Sequence, residues 1–194
     1  MAVGECIMKG KKIIFTGATS VGKSTLINAL SKEFPEIKVQ TESVRYLKNK
    51  YGLDFRSGDT ALQLALLQLQ TKILMDDSTY FCDRSSLDSL SYTSYYMKKG
   101  NSDISPNVYD FLYTESKNNM LKYADLIIYL APGEFDIVDD GVRIVDNEYQ
   151  YETHLEMERF IKEFGLENKV IRPKGSVEER VNFCKKYIEE LLNE

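Results

Sequence analysis

The chain has 194 residues with 25 Lys+Arg against 30 Asp+Glu, a formal charge of −5 with its single His neutral. This length suits one compact domain, and 43% hydrophobic with 28% charged residues excludes disordered, collagen-like and membrane-spanning classes. The negative balance supplies no global attraction for nucleic acid, although a local basic groove is compatible with it.

Hydrophobic periodicity predicts a short strand over Lys12 to Thr16, a tight glycine-bearing loop, and a helix over Gly22 to Phe34 with Leu26, Ile27 and Leu30 inside. Pro35 stops that helix. A second strand is expected over Ile37 to Gln40, then a polar helix or loop over Ser43 to Lys50. From Asp59, a suitable N-cap, Leu62, Leu66, Leu69 and Ile73 keep one apolar face of a long helix. Gln63, Gln68, Gln70 and Lys72 interrupt its leucines, so it falls short of a membrane span, and it has enough leucine to serve a core or a homodimer interface.

Thr79 to Cys82 reads as a third strand ended by Asp83-Arg84, followed by a helix from Leu87 to Lys99. Pro106 suits the first turn of another helix, with Val108, Phe111 and Leu112 as its inner face. Leu126 to Leu130 reads as a central strand buried on both sides. An acidic stretch after Pro132-Gly133 leads to a helix over Glu148 to Phe164, a strand over Lys169 to Ile171, and a last helix. That helix opens on a Ser176/Glu179 capping box and carries a stripe of Val177, Val181, Cys184, Ile188 and Leu191. Alternation of strands and helices predicts a three-layer α/β fold with a roughly five-stranded parallel sheet.

The sharpest signal is Gly17-Ala18-Thr19-Ser20-Val21-Gly22-Lys23-Ser24, followed by Thr25, which fits G-x-x-x-x-G-K-[ST] between a strand and a helix. Average residue usage yields this pattern by chance in roughly one chain in a hundred of this length. Its glycines let the backbone curl so that N–H groups face phosphate oxygens at a helix N-terminus. Lys23 then reaches the β- and γ-phosphates, and the Ser24 hydroxyl is placed to ligate Mg²⁺. In an open α/β sheet ligands gather at the carboxyl ends of strands, which singles out Asp83, after the third strand, and Glu42, after the second.

With these residues in place, the chain resembles P-loop nucleoside and nucleotide kinases, especially small-molecule kinases acting on deoxynucleosides and nicotinamide riboside. The resemblance rests on Gly17 to Thr25, Thr41-Glu42-Ser43-Val44-Arg45, Phe81-Cys82-Asp83-Arg84-Ser85 with Asp88, and Asp140-Gly141-Val142-Arg143. It implies a P-loop NTPase fold over residues 1–194, with a lid at 131–147, that uses ATP and Mg²⁺. Glu42 or Asp83 would accept the proton of an acceptor hydroxyl or hold the metal. Arg84 would steady the transferred charge, Arg143 would arrive with the lid, and Glu42, Arg45, Arg84 and Asp88 would face a nucleoside-like acceptor.

Other residues read as structural. Tyr92, Tyr95 and Tyr96 near Asp88 suit core packing better than a ring-stacking pocket, and His154, on a polar helix without metal ligands nearby, suits the surface. Asp125 precedes its strand, the wrong end for a metal ligand. Cys6, Cys82 and Cys184 lack metal-ligand spacing and are odd in number, and with no signal-peptide pattern before Ile13 a reducing cytoplasm is expected. Two further functions fit the loop: an NTPase module coupled to a partner, and a kinase for polynucleotide hydroxyls. No guanine-reading N-K-x-D segment is present.

Overall fold

Strand β1 (Lys12–Thr16) is buried along its whole length, as a strand must be when it pairs on both edges and is covered on both faces. In the computed structural model, which describes residues 10–40, 46–47, 50, 58–133 and 146–194, β1 is the middle of a five-stranded sheet. Its companions are β2 (Lys38–Gln40), β3 (Tyr80–Asp83), β4 (Leu126–Tyr129) and β5 (Val170–Ile171). They run in the order β2-β3-β1-β4-β5, and every pairing is parallel.

Six helices of the described residues flank the sheet: α1 (Lys23–Glu33), α2 (Thr60–Leu74), α3 (Ser86–Lys98), α4 (Pro106–Tyr123), α5 (Asn147–Glu163) and α6 (Val177–Leu192). Alternation along the strands divides the core. Ile13, Phe15, Phe81 and Ile128 face Leu26, Ile27 and Leu30 of α1 and Cys184 and Ile188 of α6. Ile14, Cys82, Ile127 and Tyr129 face the other helices through Leu67, Leu87, Leu112 and Phe160. Burying each large apolar side chain contributes about 1.5–3 kcal/mol, and Phe15 and Phe81 add an edge-to-face contact at 5.5 Å.

The helix starts follow their caps. Asp59 accepts from the Leu62 amide at 2.8 Å, and Ser176 with Glu179 forms the expected capping box. Ser85 with Asp88 forms a second one, and Ser105 caps α4 just before Pro106.

Several expectations are corrected. The third strand runs one residue further, so Asp83 ends it rather than following it. Lys169 belongs to a 3₁₀ turn, leaving only Val170–Ile171 as strand. Phe111 is 52% exposed and Val177 39%. The buried face of α4 keeps the expected Leu112 and continues through Ser116, Asn119 and Met120, and Val177 is the first residue of its helix. Gln63 and Gln70 of α2 are buried beside its leucines. His154 is half-buried rather than superficial, with Nδ1 2.6 Å from the Tyr129 hydroxyl. The Ser43 to Lys50 segment lies mostly outside the described residues.

At the sheet's amino end, the fully buried Lys12 donates from Nζ to the carbonyl oxygens of Gly10, Asp76 and Ser78 at 3.1, 2.7 and 2.6 Å. Asp125 accepts from the Lys12 amide at 2.7 Å, a structural role that fits its place before β4.

Candidate active site

The loop after β1 turns at Gly17, whose φ of +139° suits a residue without Cβ. A Cβ there would meet the Leu130 carbonyl oxygen at 2.3 Å. Gly22, with φ of +86°, is the N-cap of α1; no side chain caps this helix, and its first turn holds no acidic residue. The N-terminal amides and the positive end of the helix dipole are therefore left for an anion. Lys23 is buried, and its Nζ donates to the Gly17 and Ala18 carbonyl oxygens at 2.8 and 2.6 Å.

A cleft of about 110 Å³ opens over this loop, lined by Ser20 to Thr25 together with Asp83 and Arg84. Asp83 reaches it because β3 adjoins β1 in the register Phe15 to Asp83. Ser24 Oγ donates a long hydrogen bond of 3.4 Å to Asp83 Oδ2. A hydroxyl beside a carboxylate is an all-oxygen donor pair of the kind Mg²⁺ takes when most of its remaining ligands are water and phosphate. The residues present fit that ion, and among the described residues no group of three or more His, Cys, Asp or Glu gathers for a different metal.

Arg84 leaves the strand with φ of +77°, a conformation costly for a side-chain-bearing residue and concentrated at functional sites. Its amide donates to the Phe15 carbonyl oxygen at 3.0 Å. Its guanidinium meets Asp88 Oδ1 at 3.4 Å and the Tyr92 hydroxyl at 3.1 Å, and lies 5.2 Å from the centre of the Tyr92 ring. Asp88 is 1% exposed. Its other oxygen accepts from the Ser85 amide at 3.0 Å, so one carboxylate both starts α3 and steadies Arg84. Burial pushes the Asp88 carboxyl up, opposed by the charges of Arg84 and Lys23. Burial likewise pushes the Cys82 and Cys184 thiols up to about 12, which leaves both as unreactive core residues.

A model of the AAA domain family matches residues 12–180. The chain belongs to that family. The AAA domain has the P-loop nucleoside/nucleotide kinase-like fold, as comparison with solved structures shows. A NadR protein in complex with NAD and AMP-PNP superposes with a TM-score of 0.71 at 17% identity, over 95% of this chain and 50% of that one. A NadR complex with NR gives 0.69 at 20% identity, over 88% and 47%. Deoxyadenosine kinase from M. mycoides, with products dCMP and dCDP bound, gives 0.69 at 19% identity, over 93% and 99%. The chain thus spans about half the length of the NadR chains. No curated protein sequence matches it.

Within this AAA domain the structure gathers Ser20 to Thr25, Asp83 and Arg84 around one cleft, with Asp88 buried behind Arg84, while Gly17, Ala18 and Thr19 lead into the loop without lining that cleft. Glu42, Arg45 and Arg143 lie outside the described residues, as does most of the expected lid. Of the tyrosines, Tyr96 is buried as expected, and Tyr92 also holds Arg84. Tyr149 of α5 stacks on Tyr92 at 5.9 Å and meets Tyr95 edge-on at 4.9 Å.

Two residues that touch the loop escape sequence reasoning altogether. Gln150 donates from Nε2 to the Thr19 carbonyl oxygen at 2.7 Å, and Arg180 donates from Nη1 to the Val21 carbonyl oxygen at 3.3 Å. Both are buried. Buried polar side chains amid apolar helix faces were the one available signal, because such groups require a partner.

Proposed function

We propose that this protein is an ATP- and Mg²⁺-dependent kinase that moves the γ-phosphoryl group to a hydroxyl or phosphate of a nucleoside, nucleotide or similar small acceptor. The observation that carries this reading is the convergence of Ser24, Asp83 and Arg84 on the phosphate loop, in a cleft with Lys23 at its base. The NadR structure with an ATP analogue and the deoxyadenosine kinase with nucleotide products lend support through their shared fold.

Phosphoryl transfer is largely positioning and electrostatics. Loop amides and the α1 dipole would hold the phosphate oxygens, and Lys23 would exchange its carbonyl partners for the β- and γ-phosphates. The bound Mg²⁺ would neutralise charge between those phosphates, held on the protein side by Ser24 and by Asp83 beside it. With Asp83 engaged there, we assign proton acceptance from the acceptor hydroxyl to Glu42. Arg84, fixed by Asp88 and Tyr92, would meet charge on the transferred group, and Arg143 would join on closure of a lid over 131–147.

The test is transfer of labelled γ-phosphate from ATP with Mg²⁺ to a panel of nucleosides, nucleoside monophosphates, nicotinamide riboside and hydroxyl-bearing DNA. Wild type runs beside Lys23→Ala and Asp83→Asn. One labelled small acceptor, lost in both variants, is the expected result. Labelled DNA would instead establish a polynucleotide kinase, and phosphate release with no labelled acceptor would establish an NTPase module.

A further inference from the structure

Ser20, at the crest of the phosphate loop, has φ of +59°. A residue with a side chain stays in that left-handed conformation only where its surroundings fix it. Two peptides of this loop, Thr19–Ser20 and Val21–Gly22, are each gripped by a buried side chain. On one side the Thr19 carbonyl oxygen accepts from Gln150 of α5 at 2.7 Å. On the other the Val21 carbonyl oxygen accepts from Arg180 of α6 at 3.3 Å, while Arg180 Nε braces itself on the Gly175 carbonyl oxygen at 2.9 Å. Helices α5 and α6 cover opposite faces of the sheet, so the loop is held from both layers.

A trans peptide is planar, and its N–H points opposite to its C=O. Holding the Thr19 oxygen therefore fixes the Ser20 N–H in the opposite direction, and holding the Val21 oxygen fixes the Gly22 N–H. Ser20 and Gly22 both line the cleft. We propose that Gln150 and Arg180 are positioning residues that keep the loop crest in its anion-receiving shape before any nucleotide arrives. The inference rests on reading the cleft as a nucleotide site, but its first test needs no nucleotide.

Backbone ¹⁵N relaxation is measured on the protein without nucleotide, for wild type, Gln150→Leu, which keeps the side-chain bulk without its donor, and Arg180→Lys, which keeps one donor. The Ser20 amide should drop from a rigid order parameter of about 0.85 toward about 0.6 in Gln150→Leu, with a smaller drop at Gly22 in Arg180→Lys, while Ile14 and Ile127 in the sheet stay rigid. Calorimetric titration with MgADP should show affinity about five- to tenfold weaker in Gln150→Leu, and the KM for the acceptor should be unchanged. Loop order parameters equal to those of wild type in both variants would overturn the proposal. So would a uniform fall that includes Ile14 and Ile127, since that reports general loosening. A wild type that binds no MgADP would remove the nucleotide reading, while the loop order parameters would still judge the clamp.

Discussion

Ser24 Oγ and Asp83 Oδ2 stand 3.4 Å apart although 59 residues separate them in sequence, and pairing of β1 with β3 brings them together. If this pair holds the metal and Glu42 takes the proton, the two functions separate under mutation. Ser24→Ala and Asp83→Asn should each raise the Mg²⁺ concentration for half-maximal rate by at least about tenfold. Glu42→Gln should lower kcat with an unchanged Mg²⁺ requirement. Initial rates across a Mg²⁺ titration check this, and an unchanged requirement in Asp83→Asn would move that residue away from the metal.

Arg84 owes its placement to Asp88 and Tyr92. Tyr92→Phe keeps the ring under the guanidinium and deletes one hydrogen bond, so transfer should fall by about three- to tenfold. Asp88→Asn leaves an oxygen for the Ser85 amide but removes the charge facing Arg84, and the loss should be larger. Steady-state kinetics beside circular dichroism separates lost positioning from lost helix.

Gly17 admits no larger residue. Gly17→Ala would drive a methyl to 2.3 Å from the Leu130 carbonyl oxygen and strain a φ of +139°. We expect destabilisation of more than about 2 kcal/mol, read by urea denaturation. A Gly17→Ala variant as stable as wild type would contradict this packing of the loop against the turn after β4.

His154 predicts a pH dependence. Burial beside Tyr129 lowers its pKa from 6.5, a shift opposed by Glu158 and reinforced by Arg172, with the Tyr151 ring 6.0 Å away. Between the depressed value and 6.5 the native state binds fewer protons than the unfolded chain. The imidazole's contribution to stability is thus complete above that window and declines as pH falls through it. His154→Gln can still bond Tyr129 without titrating, so its melting temperature should fall less than that of wild type between pH 7 and 5.

The phosphate loop was legible because a local spacing dictates a local shape, and the caps at Asp59 and Ser176 for the same reason. The sheet followed from alternation of apolar runs. What stayed hidden depends on contacts distant in sequence. Phe111 looked like an inner residue because it is large and apolar, yet α4 turns Ser116 and Asn119 inward, and Asn119 bonds Thr71 of α2 at 2.7 Å. Gln150 and Arg180 reach the loop from 131 and 159 residues away, and no periodicity announces such a reach. The burial of Asp88 and its hold on Arg84 follow from the turn that β3 makes into α3, which no local spacing reveals.

Lys12 shows how distance from the cleft need not mean irrelevance to it. Its ammonium is matched to three carbonyl oxygens at the sheet's amino end, and the residue itself pairs with Tyr80 in the ladder that pairs Phe15 with Asp83. Sliding β1 along β3 by one residue would move Lys12 off its carbonyl cage onto the other face of the sheet, an alignment error with a buried charge as its penalty. The same slide would displace Asp83 from Ser24 by the rise of one strand residue, about 3.3 Å. A proofreading contact at one end of the strand thereby sets the alignment of oxygen atoms at the other.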